Sequence, residues 1–118
     1  NHHRYEYNEL YVIKDGSYVV LDSYDVTRGE IVSRKFTQLS EIQTDTALSY
    51  LRELARKYAP TTTIADVPST PEALRGTELT GIMILEIPVQ TSPVPQAVLD
   101  AARYLDVIIR DVQGTVYR

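Results

Sequence analysis

The chain has 118 residues, a hydrophobic fraction of 43 % and a net charge of −4, which is typical of one globular domain with a single core. It has no cysteine, which excludes a disulfide framework, a thiolate zinc site and a nucleophilic cysteine; its two histidines, His2 and His3, lie at the start of the chain. A metal site would therefore depend on carboxylates, which suit Mg²⁺ or Mn²⁺. We interpret residues 1–118 as one domain in which residues 1–8 are a tag remnant or a frayed N-terminus.

The first third of the chain predicts an antiparallel meander of three strands. Runs of strand-forming residues occupy positions 9–13, 18–25 and 30–36. The first two runs are joined by residues 15–16 (Asp-Gly), a strong signal for a two-residue hairpin turn. The next two are joined by residues 28–29 (Arg-Gly), so the sequence predicts two hairpins in succession.

A helix is predicted to follow the meander. Ser40 and Gln43 form the capping-box pattern S-x-x-Q, which places the N-cap at Ser40. Apolar residues then recur at helical spacing as far as Tyr58. Pro60 cannot continue a helix, so the helix is expected to end just before it.

The rest of the chain predicts a long connection and a second strand–helix–strand segment. Residues 60–81 are irregular apart from a short helix at 70–76. The nearly continuous apolar run 81–89 indicates a strand that is covered on both faces. A second helix extends to about Tyr104, and residues 106–111 form a last strand.

This order of elements predicts an α/β (α+β) fold. Its sheet is mixed: the antiparallel meander is extended by a parallel β-α-β crossover, which is expected to be right-handed. Helices are expected on the faces of the sheet.

The second hairpin carries two charged residues in the middle of its strands. If its turn centres on residues 28–29, Asp22 lies directly opposite Lys35, with Ser33 on the same face. Such a pair is either a cross-strand ion pair at a solvated sheet edge or part of a site for a metal ion and a phosphate. In the second case the aspartate holds the cation and the lysine stabilises the negative charge that develops on phosphorus.

The strand order, with an aspartate on the second strand and a lysine inside the third, resembles the restriction-endonuclease-like PD-(D/E)xK superfamily. Asp22 matches the metal-binding aspartate and Lys35 the lysine, but Ser33 stands where the family has its second acid. Some members carry that acid on the following helix, and Glu41 is the candidate here. Glu41 could equally be a partner of the helix dipole at the first turn.

The resemblance implies a set of site residues. Asp22 and Glu41 would bind Mg²⁺ or Mn²⁺, Lys35 would be catalytic, and Ser33 and Gln38 would be accessory hydrogen-bonding groups. Glu86 is a lone acid in an apolar strand, and a structural pairing with an arginine is expected there more often than a role in a site.

The wider sequence is similar to nuclease toxin domains of secreted bacterial polymorphic, contact-dependent toxins. The similarity is carried by "GEIVSRKFTQLSEIQTDTALSYLRELARKY", "IADVP" and the later "PVQ" and "VIIRD" segments. It implies an endonuclease, more often acting on DNA than on RNA, that is secreted from its producer, acts in the cytoplasm of a target cell and is neutralised by a cognate immunity protein. The alternative is a non-catalytic binding module that keeps a nuclease-like fold.

Charge and hydropathy bear on the partners. Residues 26–60 hold six basic and four acidic side chains, which makes this segment net-positive in an acidic chain. No apolar run approaches the roughly 20 residues that span a membrane. The net charge of −4 has the wrong sign for a typical nucleic-acid binder, so a nucleic-acid substrate and a cognate immunity protein are expected as partners from the resemblance alone, and a membrane is not expected.

Overall fold

The computed structural model describes residues 4–118, which form one mixed sheet with two α-helices. The strands are β1 (Tyr7–Lys14), β2 (Ser17–Asp25), β3 (Glu30–Arg34), β4 (Ile82–Ile87), β5 (Val107–Asp111) and β6 (Val116–Tyr117). The α-helices are α1 (Thr44–Lys57) and α2 (Gln96–Tyr104), and a short 3₁₀ helix (Glu72–Leu74) lies in the long connection. The predicted order of elements is confirmed, and β6 is an additional strand.

The sheet order follows the chain, from β1 to β6. The pairs β1–β2 and β2–β3 are antiparallel, β3–β4 and β4–β5 are parallel, and β5–β6 is antiparallel. This confirms the predicted mixed sheet, a meander extended by a β-α-β crossover. Within residues 4–118 no helix has the length and apolar content needed to cross a membrane.

Both helices lie on the same face of the sheet, so the expectation of helices on both faces is wrong. Leu51 and Leu54 of α1 and Val98 of α2 belong to one buried cluster, together with Leu85 of β4 and Ile109 of β5. The strands β3, β4 and β5 succeed one another in one direction across the sheet. Two crossovers of the same hand between such neighbours place both helices on one side.

The opposite face of the sheet is covered in part by the N-terminal segment. Tyr5 is buried there in a small cluster with Val32 and Ile84. Since Leu85 and Glu86 are both fully buried on opposite faces of β4, the prediction that this strand is covered on both sides is confirmed. Residues 4–8 are therefore part of the folded domain, and the other predicted tag residues, 1–3, lie outside the described part of the chain.

The first hairpin has its predicted turn and the second does not. Lys14 pairs with Ser17 across a two-residue loop, as expected. In the second hairpin the loop has four residues, 26–29, because Asp25 pairs with Glu30. The Asp25 carboxylate stabilises this wider loop by accepting hydrogen bonds from the backbone and side chain of Arg28 at 2.8 and 3.1 Å.

The register of β2 on β3 differs accordingly from the predicted one. Ser23 pairs with Val32, so the prediction that Asp22 lies directly opposite Lys35 is wrong. A turn two residues longer moves the pairing by two positions in total, which preserves the face on which each β3 side chain lies. Ser33 and Lys35 therefore keep the predicted face of the sheet, whereas the residues that pair with them on β2 differ from the predicted ones.

The α1 helix begins later than its sequence predicts. Its N-cap is Gln43, with no side-chain capping bond, so the predicted capping box at Ser40 is wrong. Leu39 explains the delay: its side chain is fully buried, and its backbone N–H donates to the side-chain oxygen of Gln90 at 2.8 Å. Because tertiary contacts hold residue 39 in a loop, Glu41 lies in an exposed turn before the helix.

The four-residue loop is fixed against the start of β4 by two glycines. Gly81 has φ 115°, and a Cβ there would lie 2.1 Å from the backbone oxygen of Gly29. The N–H of Ile82 donates to the same oxygen at 2.9 Å. Only glycine permits this close backbone contact at position 81.

Candidate active site at the fork between strands β2 and β3

Strands β2 and β3 separate at the end of their pairing, and Asp22 lies at that fork. The paired residues run from Asp25–Glu30 to Ser23–Val32. At the next position the Asp22 carboxylate, rather than a backbone carbonyl, accepts the N–H of Arg34 at 2.7 Å. Beyond it the N–H of Lys35 donates to the Glu86 carbonyl on β4 at 3.0 Å. The third strand therefore stays with β4, and the fork opens beside Asp22.

Lys35 projects from the fork toward α1, where it contacts an acid that the sequence did not single out. Its ammonium lies 3.5 Å from a carboxylate oxygen of Glu53 and 5.0 Å from the centre of the Tyr50 ring. The other Glu53 oxygen lies 3.4 Å from the ammonium of Lys57. These side chains are 26–38 % exposed, so solvent and a ligand can reach them.

Tyr58, one residue beyond α1, bonds to β2 and is influenced electrostatically by Asp22 and Glu53. Its hydroxyl donates to the Val20 carbonyl of β2 at 2.7 Å. Burial, followed by the negative charges of Glu53 and Asp22, raises the pKa of Tyr58 to about 12. Both carboxylates therefore lie near enough to the Tyr58 hydroxyl to affect its pKa, and Glu53 also contacts Lys35.

The other predicted site residues have different surroundings. Ser33 is buried, pairs with Leu85 and lies on the helix-covered face. Gln38 uses both ends of its amide to hold a neighbouring loop: it donates to the Val89 carbonyl at 2.9 Å and accepts from the Thr91 N–H at 2.9 Å. Glu41 is exposed, and no contact within residues 4–118 joins its side chain to Asp22 or Lys35.

Glu53 could have been found from the sequence only in part. It lies one helical turn before Lys57, on the polar side of the predicted helix, so an i,i+4 ion pair is apparent from spacing. Spacing does not reveal which polar side chain of α1 lies above the fork. That depends on how the helix packs on the sheet.

A second charged cluster lies on the opposite face of the sheet and is charge-balanced. Glu86 is fully buried and accepts hydrogen bonds from Arg34 and from the Tyr5 hydroxyl. Burial alone would raise the pKa of Glu86, but these two hydrogen bonds and the positive charges of Arg34 and Arg4 together outweigh it and lower the pKa. Arg110 is paired with Glu30 at 2.8 Å. Glu86 thus has the expected arginine partner, and this cluster has no unpaired acid to offer a ligand.

Asp22 and Glu53 each have a carboxylate oxygen of the chemical kind that a hard divalent cation prefers. Within residues 4–118, Asp22 uses one carboxylate oxygen for the Arg34 bond and has no hydrogen bond to the other. The Glu53 oxygens lie farther from their lysines than the roughly 2.8 Å of a strong charge-assisted bond, so both are loosely held. Mg²⁺ typically needs one or two protein carboxylates and completes its shell with substrate phosphate and water. No group of three or more acids or histidines arranged for a metal occurs in the described chain.

Comparisons with known proteins give no match, neither to a family model nor to a curated protein or a solved structure.

Proposed function

We propose that the protein is a metal-dependent endonuclease with a restriction-endonuclease-like fold, which hydrolyses phosphodiester bonds in DNA in preference to RNA. The observation that supports this most directly is the position of Lys35. Its ammonium is held by Glu53 and Tyr50 at the fork that carries Asp22. Lys35 contacts the Glu53 carboxylate and directly follows Arg34, whose N–H is bonded to Asp22, so a cation and two carboxylates of the kind that phosphodiester hydrolysis requires occur around one fork.

Asp22 and Glu53 would hold Mg²⁺ or Mn²⁺ between the strand fork and α1. The bound ion would neutralise phosphate charge and lower the pKa of water, so that hydroxide becomes accessible near neutral pH. Lys35 places a positive charge beside the reacting phosphorus, where negative charge develops as the attacking oxygen adds. The Tyr50 ring and the Glu53 carboxylate lie beside this flexible side chain and limit its range, which reduces the ordering that substrate binding would otherwise require.

Ser33 and Gln38 have supporting roles in this proposal. Ser33 is buried, so its hydroxyl would act on the packing beneath Lys35 and not on the substrate. For Gln38 we propose a positioning role, since its amide bonds the segment after β3 to residues 89–91 and so holds the backbone near Lys35 in place.

The exposed side of α1 would bind substrate phosphates. Arg52 and Arg56 are exposed, and Lys57 borders the Glu53 pair. Residues 26–60, which include α1, are the net-positive part of an otherwise acidic chain. Basic side chains beside the site would raise the local concentration of a polyanionic substrate, with an effect that falls as salt increases.

Cleavage of plasmid and of single-stranded DNA in the presence and absence of Mg²⁺ tests the proposal on the parent chain and on Asp22→Ala and Lys35→Ala. The parent is expected to cleave only with the metal, and both variants are expected to lose at least about 100-fold in rate, the scale of one lost electrostatic contact in a transition state. Equal activity in all three proteins, or activity in none, would refute the proposal.

A second comparison decides which acid completes the metal site. Glu53→Gln keeps the size of the side chain and removes its charge, so Mg²⁺-dependent cleavage should fall as it does for Asp22→Ala. Glu41→Gln is the matched control, because Glu41 is an exposed acid nearby on the same connection. Loss of activity in Glu41→Gln with retention in Glu53→Gln would restore the assignment suggested by sequence alone.

The alternative is a non-catalytic binding module, and the double pairing of Glu53 supports it. Each Glu53 oxygen already faces a lysine, as in a purely structural ion-pair cluster. Calorimetric titration with Mg²⁺ and Mn²⁺ separates the two functions. Heat of binding in the parent that is absent from Asp22→Ala favours the nuclease, whereas no binding in either favours the module.

We extend the proposal to the biological setting on the resemblance alone. The domain would be the toxin part of a secreted bacterial competition protein, acting in the cytoplasm of a target cell and neutralised by an immunity protein. The product of a small acidic reading frame next to the gene should bind the domain and suppress cleavage. A neighbouring product that leaves cleavage unchanged would count against this setting.

A further inference from the structure

Phe36 has an apolar ring that is exposed to solvent, and it is the next residue after Lys35 of the proposed site. It is the single phenylalanine of the chain and 86 % exposed. It directly follows Lys35, so the two Cα atoms are about 3.8 Å apart. Phenylalanine is among the residues most often buried, and a fold gains nothing by leaving this ring in solvent.

The segment that carries Phe36 is fixed by hydrogen bonds on both sides. On one side the Lys35 N–H is bonded to β4 at 3.0 Å. On the other, the Gln90 amide donates to the Thr37 carbonyl at 3.1 Å and accepts from the Leu39 N–H at 2.8 Å. Gln38 adds its two bonds to the loop after β4. The exposed ring therefore stands on a well-ordered support.

An exposed aromatic ring on an ordered backbone, one residue after the lysine proposed to bind phosphate, matches the requirements of an unpaired nucleic-acid base. Proteins that bind single strands combine basic side chains for the backbone with aromatic rings on which bases stack. A base inside a duplex has both faces covered by its neighbours, so it can stack on a protein ring only after it leaves the helix. The Lys35 ammonium lies beside Tyr50 and Glu53, so a phosphate bound to it would lie near the segment that carries Phe36.

We propose that Phe36 is a stacking platform for an unpaired base next to the scissile phosphate, and that the substrate is therefore a single-stranded or locally unpaired nucleic acid. This inference rests on the proposed nuclease function and specifies its substrate class. Phe36 acts in binding and specificity, whereas the chemistry remains with Asp22, Glu53 and Lys35.

Binding of short oligonucleotides tests this. A fluorescein-labelled oligothymidylate of roughly 12 nucleotides and its duplex with oligoadenylate are titrated with protein in EDTA, so that no cleavage occurs, and followed by fluorescence anisotropy. A second strand carries 2-aminopurine, whose emission is quenched when its base stacks. The variants are Phe36→Ala, Phe36→Tyr and, as a matched control, Tyr104→Ala.

Tyr104 is a suitable control because it is 88 % exposed but distant from the fork. It ends α2, just before the start of β5, whereas Phe36 follows the end of β3. The strands β3, β4 and β5 are parallel, so these two positions lie at opposite ends of the sheet. Both changes remove an exposed ring, and neither removes buried contacts.

Phe36→Ala is expected to weaken single-strand binding about 5- to 100-fold and to abolish the quenching, with duplex binding unchanged. Phe36→Tyr and Tyr104→Ala should behave as the parent. The inference is overturned if Phe36→Ala binds and quenches like the parent, if it weakens single-strand and duplex binding equally, or if the parent binds duplex alone. A parent that neither binds nor cleaves any nucleic acid instead refutes the proposed function itself.

Discussion

Replacement of Glu86 by glutamine is expected to destabilise the fold severely, because it removes one charge from a buried pair. Glu86 is fully buried, and the side chain of its partner Arg34 is only 7 % exposed. Glutamine preserves the shape of the side chain but leaves the guanidinium buried without a counter-charge. It also replaces an accepting oxygen by an amide that cannot accept the bonds from Arg34 and Tyr5 at the same time.

The expected loss is about 3–5 kcal/mol, the usual cost of removing one partner of a buried ion pair. For a domain of this size that corresponds to a melting temperature lower by roughly 10–25 °C. Urea unfolding followed by circular dichroism gives the free energy directly. The double variant Glu86→Leu/Arg34→Met removes both charges and should recover most of the loss, since an apolar pair can replace a buried ion pair at little cost.

The pH dependence of unfolding provides a second readout for the same variant. The pKa of Glu86 is lowered in the folded state, so its contribution to stability is complete above its ordinary pKa of 4.5 and is lost as the pH falls through the lower folded value. Glu86→Gln should therefore lose less stability on acidification than the parent does. A single variant within about 1 kcal/mol of the parent, or a double variant as unstable as the single one, would refute the assignment of a buried pair.

Three further changes test other parts of the fold. Asp111→Asn should cost about 1–3 kcal/mol at neutral pH. Hydrogen bonds to the Asp111 carboxylate outweigh its burial and lower its pKa, so its contribution to stability disappears as the pH falls through the lowered pKa. The variant should therefore show a weaker acid dependence of unfolding, and an unchanged acid dependence would contradict this. Tyr58→Phe removes one hydrogen bond to β2 and should cost about 0.5–1.5 kcal/mol in urea unfolding, and a gain in stability would exclude that bond as a contributor. Gly81→Ala should lower the melting temperature far more than Gly16→Ala, since both glycines have positive φ but an added methyl meets backbone at 2.1 Å only at position 81; equal shifts would show that the close contact is not needed.

The local periodicity of the sequence was sufficient for most elements of the fold. The alternation and turn chemistry around residues 15–16 predicted the first hairpin, and a two-residue loop with Asp and Gly in positive φ is what forms there. The nearly continuous apolar run of β4 predicted a central strand that is covered on both faces. These predictions succeeded because they depend on residues that are neighbours in the chain. The two-residue strand β6 was missed because its few residues carry no periodic signal.

The candidate site was predicted in part, and its errors share one cause. Asp22 and Lys35 were singled out as a pair, and they do lie at one fork, but their register depended on a loop that the Asp25–Arg28 contact makes longer. Glu41 was assigned to the first turn of the helix, but the burial of Leu39 delays the helix start. Both errors come from a local pattern that a tertiary contact overrides.

The sequence by itself determined which residue types are present and which strands and helices they favour. It thereby excluded cysteine and thiolate-metal chemistry and indicated a mixed sheet with a charged hairpin at its centre. Only the tertiary structure decided that Glu53, rather than Glu41, contacts Lys35, and that Phe36, the next residue in the chain, is exposed. The physical reason is that these relations depend on how α1 packs on the sheet and how two loops are tied together, and both involve residues far apart in the chain.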